Sequence, residues 1–427
     1  MYKKDYEENI NSINWKRGVN LHSIYVPNEI GKLKKVMLHR PGNELLNMTP
    51  SALGDLLFDD IPFLKTAQEE HDNFANVLKN EDIEVLYLEN LVADILDKKP
   101  EVREIFIKQL LEDANIQSTK RNDAVKEYLE SIKGSKELVD KVMAGVSLKE
   151  LDLKESDFIK ACNSDNFDMA LMPMPNLYFT RDPFANVGTG VIINRMKNLV
   201  RQRETIFGDI LFTYGDEYKD VDKLYSRYEE YSIEGGDILI INEHTLAIGI
   251  SQRTDAEAIE KLAQNIFFHS ESKIDTILAI DIPKIRAFMH LDTVFTQIDY
   301  DKFTVHPGIF RTLRVFELTK GNAEDEIKSV EMHDSLDHIL SKYLDRKIEL
   351  ILCGGGDRLV SEREQWNDGS NTLCIAPGTV VVYERNTVTN DILEEKGIKV
   401  LKIKDSEISR GRGGPRCMSM PFLREDI

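Results

Sequence analysis

Apolar residues recur along this chain at two periods, and the period changes mark its parts. Gly31-Lys32-Leu33-Lys34-Lys35-Val36-Met37-Leu38-His39-Arg40-Pro41-Gly42 reads as a short strand closed by a Pro-Gly turn. Helical spacing follows from Leu64 to Leu78, and a strand from Ile83 to Leu88. Between about 90 and 165 four amphipathic pieces, near 99–115, 120–133, 136–144 and 148–160, carry apolar residues at helical spacing, such as Val102, Ile105, Leu110 and Leu111, or Leu138, Val139 and Val142. Ser135 and Ser147 are placed to cap helix starts and Gly145 to stop a helix. This predicts a helical insertion whose many Lys and Glu residues form a solvated face, with nothing in it that suggests chemistry. Residues 1 to about 20 are polar and carry no pattern.

After residue 165 the period shortens and the chain becomes quasi-repetitive. Asp182 precedes Ala185 to Ile193, Glu234 precedes Ile238 to Gly249, His290 precedes Thr293 to Val305, and Asn367 precedes Asn371 to Tyr383. Each unit is a polar residue, a strand, a tight turn and a second strand. Helices such as Asp255 to Phe268 and Glu324 to Leu344 are expected between units. Asp182, Glu234, His290, Asn367 and Cys417 stand 52, 56, 77 and 50 residues apart. Such a period with β-rich units is the mark of radial or stacked repetition. Four units plus the strand near Ile30 suggest a closed ring of about five βαβ-type blades, each leading polar residue pointing to the centre. Asp182, Glu234, His290, Asp292 and Cys417 would then converge. The competing reading is a single α/β sheet with scattered polar loop residues.

Composition narrows the function. The chain has 427 residues, 41% hydrophobic and 30% charged, enough for a large core and a globular fold of two or three domains by length. A net charge of −19 argues against non-specific nucleic-acid binding and permits a cationic ligand. No run approaches ~20 apolar residues, and the N-terminus has no apolar signal core, so no membrane partner and a cytoplasmic location are expected. Four cysteines make no disulfide framework and none stands in zinc spacing. Cys353 and Cys374 sit in apolar runs as inert thiols, and Cys162 carries no signal.

Cys417 differs. It ends Arg410-Gly411-Arg412-Gly413-Gly414-Pro415-Arg416-Cys417, where three arginines and free backbone amides should stabilise a thiolate and lower its pKa from ~8.5. A basic glycine-rich tail for phosphate or nucleic acid is the alternative. His290-Leu291-Asp292 opens a predicted strand, and alternation would put His290 and Asp292 on one face. Beside a thiolate that pair becomes an acid/base with a carboxylate; alone, a half-buried structural histidine is the commoner case. Glu234-Gly235-Gly236-Asp237 sets a carboxylate at a turn whose glycines permit close approach. Asn176, Phe179 and Asp182 put an amide, an aromatic and a carboxylate on one loop. Cys353-Gly354-Gly355-Gly356-Asp357 lacks the Lys-Ser/Thr of a phosphate loop.

Seven motifs in order carry a resemblance: Pro175 to Pro183, Arg201 to Thr205, Glu234 to Asp237, Ser251 to Thr254, Met289 to Phe295, Arg363 to Gly369 and Arg410 to Ser419. From about Ile30 to its end the chain resembles bacterial arginine deiminase. The resemblance implies the guanidine-modifying (pentein) fold, a five-bladed pseudo-symmetric α/β propeller over residues 1–89 and 166–427 with an inserted helical domain at 90–165. It implies hydrolysis of L-arginine to L-citrulline and ammonia, the first step of arginine catabolism by deimination, with no metal and no organic cofactor, in a homodimer or higher homo-oligomer. By the same resemblance Cys417 attacks the guanidinium carbon, His290 is acid then base, Glu234 orients it, and Asp182 and Asp292 clamp the guanidinium. Asn176, Phe179, Arg201 and Arg253 would bind the rest of the substrate, and Arg412 would gate the site. An agmatine deiminase, an amidinotransferase or a non-catalytic binding homologue are the alternatives. The first twenty or so residues look longer than is usual in the family, and Asn28 stands where the family more often has serine; both bear only on packing at the N-terminus.

Overall fold

The computed structural model describes residues 23–151, 153, 169–323 and 325–427. One connection recurs in it five times: two antiparallel strands, a helix, and a third strand parallel to the second. Phe184–Val187 and Gly190–Ile193 pair antiparallel, the helix Thr205–Tyr214 crosses over, and Asp222–Tyr225 joins parallel. Ile238–Asn242 and Thr245–Ile250 repeat this with the helix Ala256–His269 and the strand Thr276–Asp281. Phe295–Gln297 and Lys302–Val305 lead through Leu336–Leu344 to Glu349–Leu352. Leu373–Ala376 and Thr379–Tyr383 lead through Thr387–Glu395 to Lys399–Ile403. The fifth unit joins distant parts of the chain: Met420–Arg424 pairs antiparallel with Leu33–Leu38, which the helix Leu64–Asn80 carries to the parallel strand Glu84–Tyr87. This is an α/β fold. A strand that returns parallel to its neighbour needs a crossover of a dozen residues or so, which is why a helix lies between the second and third strands of each unit.

The irregular 77-residue step from His290 to Asn367 has a local cause. Over 325–335 the expected helix is not formed: Arg314–Lys320 and Ile327–Met332 make an antiparallel hairpin added to the sheet of Ile238–Asn242, and within the expected span only Leu336–Leu344 is helical among the described residues.

The helical stretch matches its pattern with two differences. Leu88, expected to end a strand, instead starts the helix Leu88–Lys98, which buries Leu88, Val92, Ile95 and Leu96. Pro100–Ala114, Thr119–Ser131 and Ser135–Ala144 follow, the last ended by Gly145 at φ +78°. Gly134 holds the cap position in place of Ser135, because Leu138 N–H already bonds Gly134 O. Ser147 does cap a turn: Glu150 accepts from its N–H at 2.8 Å and its hydroxyl at 3.0 Å. Of the piece near 148–160 only the turn Leu148–Glu150 and residues 151 and 153 are described, and Cys162 lies outside the described residues. No helix among the described residues is long and apolar enough to cross a membrane.

These helices do not build a core of their own. Val92, Phe106, Leu110, Val125, Leu138 and Val142 belong to one apolar cluster with Val191, Phe207, Ile210 and Leu246 of the sheet units. Phe106 meets Phe207 edge-on at 5.6 Å. Truncating the fully buried Phe207 to Ala therefore opens a cavity under both layers and should cost about 4 kcal/mol in denaturant unfolding. A loss below roughly 1 kcal/mol would show that the helices and the sheets do not share load.

Candidate active site

The loop before the strand Met420–Arg424 sets Cys417 at the centre of the units, 3% exposed. Its carbonyl accepts from Arg181 N–H at 3.0 Å, its N–H donates to Asn371 Oδ1 at 3.1 Å, and its Sγ lies 3.5 Å from Asp292 Oδ2. The three arginines ahead of it do not supply the positive field expected from their order in sequence. Arg410 pairs with Asp60 and Glu407. Arg412 stacks on the Trp366 ring at 3.3 Å, 3.6 Å from Asp59. Arg416 is shared between Glu29 at 3.0 Å and Asp292 at 2.7 Å. Burial pushes the Cys417 thiol well above its ordinary range; Asp292, Asp182 and Asp368 add to this, and Arg416 only partly opposes it. The surroundings of Cys417 therefore raise its pKa, against the lowering expected from the arginines beside it in sequence.

His290 follows the turn Arg286–Phe288 and precedes a 3-10 turn, Leu291–Thr293, so the predicted strand begins only at Phe295. A turn rather than alternation brings His290 and Asp292 together. The Gly236 backbone lies under the imidazole; a Cβ there would stand 2.6 Å from His290 Nδ1. His290 Nε2 is 2.8 Å from Glu234 Oε2, and its Nδ1 is 3.9 Å from Asp182 Oδ1. Burial disfavours the imidazolium, but Asp182, Glu234 and Asp237 outweigh it and raise its pKa to about 9. Glu234 is likewise fully buried, yet Arg253, His290 and Arg201 hold it down to about 2.

Asp182 and Asp292 share a feature. Each has one oxygen engaged, by Arg201 at 2.8 Å and by Arg416 at 2.7 Å. The Oδ1 of each is buried and accepts no hydrogen bond. Buried acceptors are nearly always satisfied, so two orphans, one on the carboxylate that faces Cys417 Sγ and one 3.9 Å from His290 Nδ1, mark a place for a donor.

The remaining expected residues divide. Arg253 is 4% exposed, its Nη1 makes no hydrogen bond, and it lies 3.5 Å from Glu234. Arg201 is committed to Glu204 through Nε and Nη2 and to Asp182 through Nη1. Asn176 donates to Leu56 O at 2.7 Å, and Phe179 packs on Tyr178 at 4.0 Å between ring centres. Asn367 faces away from the centre, bonded to Arg363 O and Arg385. Glu204, Glu29, Asp237, Asp368 and Asn371 are buried around the site without having been singled out. Asp237 had a signal, in Glu234-Gly235-Gly236-Asp237; it accepts from Ser251, Thr254 and Leu291 N–H, and burial raises its carboxyl to about 7.

Asp182, Glu234 and His290 also bring one ligand atom each within 4.8 Å of one another. A metal needs these groups deprotonated, and here the imidazole is held protonated while Arg201 and Arg253 already stand against the carboxylates. The set suits an organic cation with N–H donors better than a dication.

The family model for arginine deiminase matches residues 54–424. The chain belongs to the arginine deiminase family. It is 56% identical over 406 residues to an arginine deiminase from Treponema denticola, covering 95% of this chain and 99% of the relative. An arginine deiminase from Streptococcus sanguinis is 54% identical over 413 residues, 96% of this chain and 100% of the relative. Among solved structures, an amidinotransferase of saxitoxin biosynthesis from Microseira wollei covers 95% of this chain and 98% of its own, with a TM-score of 0.54 at 14% identity, a likeness of fold.

The protonated thiol is checked directly. Thiolate absorbance near 240 nm, with Cys417→Ser as the blank, should show no step between pH 6 and ~8.5 in the free enzyme. Cys353 and Cys374, pushed by burial to about 11 and about 12, do not interfere in that range. A Cys417-dependent step there would restore the pre-formed thiolate.

Proposed function

We propose that this deiminase-family chain hydrolyses L-arginine to L-citrulline and ammonia. The observation that carries the reading is the pair of unpartnered buried carboxylate oxygens, on Asp182 and Asp292, beside the Cys417 thiol and the His290 imidazolium. A planar guanidinium carries several N–H donors and a positive charge, and two carboxylates are the groups that satisfy both. Its charge also answers the carboxylates that keep the thiol protonated, so the substrate itself lowers the thiol's pKa.

The steps then balance. The Cys417 proton leaves to solvent, and the thiolate forms an S–C bond to the guanidinium carbon. His290 donates its proton to one terminal nitrogen, the C–N bond breaks, and ammonia departs, leaving a covalent thiouronium on Cys417. The neutral imidazole now takes a proton from water as hydroxide adds to the same carbon; the S–C bond breaks as the adduct's hydroxyl proton passes to the leaving sulfur, so citrulline leaves neutral and both the Cys417 thiol and the His290 imidazolium are restored. Glu234 holds the imidazole for both transfers. Arg253, whose Nη1 makes no hydrogen bond, meets the α-carboxylate; Arg201 and Asn176 join it on giving up a bond to Glu204 and to Leu56 O, with Phe179 against the substrate chain and Arg412 moving off Trp366 as the gate. We further infer that the five units close into a five-bladed propeller over 1–89 and 166–427, with 90–165 inserted.

Ammonia release from arginine and from agmatine, in parent, Cys417→Ser and Arg253→Ala, tests the reading. Cys417→Ser should be inactive, since a hydroxyl lacks an accessible anion. Agmatine lacks the α-carboxylate, and a site left with unpaired buried cations can discriminate by on the order of 10⁴ in kcat/KM. Arg253→Ala should lose arginine turnover far more than agmatine turnover. Comparable parent values for the two substrates would replace this reading with a broader guanidine hydrolase.

The pH dependence follows from His290. Its raised pKa keeps the acid in place through neutrality, so activity should fall as pH climbs through about 9. Glu234→Gln removes a carboxylate that raises that pKa, and the alkaline limb should move down by about one unit or more toward the ordinary ~6.5. An alkaline limb that stays in place would take Glu234 out of contact with the acid.

A further inference from the structure

Asn371 is fully buried next to the nucleophile and has no part in the steps above. Its neighbours in the chain are pinned: Thr296 Oγ1 lies 2.8 Å from Ser370 O, 2.7 Å from Thr304 Oγ1 and 2.9 Å from Thr372 Oγ1. Its own N–H donates to Asp368 O at 2.9 Å. From this fixed base the side-chain amide reaches in two directions. Oδ1 accepts from Cys417 N–H at 3.1 Å, and Nδ2 donates to Asp292 O at 3.2 Å. The orientation is forced, because a flipped amide would set donor against donor and acceptor against acceptor.

One rigid group thus bonds the backbones of the two residues whose side chains face each other as Sγ and Oδ2 across 3.5 Å. Both backbones lie in non-repetitive segments, a 3-10 turn at Asp292 and a loop at Cys417, where no sheet ladder sets their spacing. We propose that Asn371 is a positioning residue for the nucleophile: it sets the separation of Cys417 from Asp292, and so both the angle of attack on the guanidinium carbon and the pKa of the thiol. The proposal rests on the deiminase reading for its kinetic consequence, but not for its effect on the thiol.

Two variants test it. Asn371→Leu keeps the volume and removes both bonds; misplacing a nucleophile by about 1 Å costs on the order of 100-fold, so kcat should fall about 100-fold. KM for arginine should change by less than about threefold, since the Asp292 side chain keeps its Arg416 partner and Asp182 and Arg253 are not bonded to Asn371. Asn371→Asp keeps the acceptor for Cys417 N–H, loses the donor to Asp292 O and adds a negative charge beside the thiol. In that variant the Cys417 thiolate absorbance should move to higher pH than in the parent, a readout that needs no substrate; Asn371→Leu, which adds no charge, should also displace it from the parent's pH, and a purely structural role would not. Asn371→Asp stands alone as the test if Asn371→Leu does not fold. A kcat within about threefold of the parent in the folded variants, or a raised KM at unchanged kcat, would overturn the proposal. So would an unmoved thiol titration in Asn371→Asp. Absence of ammonia release by the parent would instead sink the deiminase reading, while the thiol titration still decides the role of Asn371.

Discussion

Everything at the centre of this protein follows from carboxylates held out of water. Asp182, Glu204, Glu234, Asp292 and Glu29 are each at most 5% exposed, and an isolated buried carboxylate would take a proton rather than stay charged. Each is instead met by a cation: Arg201 lies between Glu204 and Asp182, Arg253 and His290 stand against Glu234, and Arg416 joins Glu29 to Asp292. Such pairs do little for net stability, because desolvation consumes most of the Coulomb gain, but losing one partner is costly. The arrangement leaves one buried oxygen of Asp182 and one of Asp292, their Oδ1 atoms, without a hydrogen-bond partner. The cations are supplied by four different units of the fold, so the site exists only once the units are assembled.

That dependence explains what was legible beforehand. The repeat of polar residue, strand, turn and strand was visible because antiparallel pairs joined by tight turns leave a period-two pattern with glycine and asparagine between. The helices at 100–144 were visible because their apolar residues recur at helical spacing. The convergence of Asp182, Glu234, His290 and Cys417 followed from the repeated placing of a polar residue ahead of each strand pair, although the steps between them are unequal. The hairpin at 314–332 was not legible, since its strands carry Lys, Glu and Thr at exposed positions and look like a helix face over a short window.

Electrostatics were read least well, and for a physical reason. Three arginines in a row of eight residues look like a positive field, but each guanidinium was already committed to a carboxylate from elsewhere: Asp60 and Asp59 from one loop, Glu29 from another, Asp292 from a third. Charge order along a chain says nothing about partners brought by the fold. Asn367 and Asn371 illustrate the same limit at the scale of four residues. Both are amides ahead of a strand, yet Asn367 ends the helix Arg358–Trp366 and faces outward, while Asn371 lies past the turn and faces the nucleophile.

A resting thiol rather than a thiolate changes what specificity means here. A permanent thiolate would react with any electrophile that reached it and would oxidise readily, since both follow thiolate character. On the reading proposed above, burial and three carboxylates disfavour the thiolate, and a cation bound by Asp182 and Asp292 shifts the balance back toward it. A neutral molecule of the same shape fails twice, because it leaves those oxygens unpaired and leaves the sulfur protonated. Binding energy from the guanidinium charge is thereby spent on making the attacking anion rather than on holding the ground state, which is the use of binding that raises kcat. The high pKa of Cys417, which contradicts the reading of its sequence neighbours, is on this argument the means by which substrate recognition and nucleophile activation become one event.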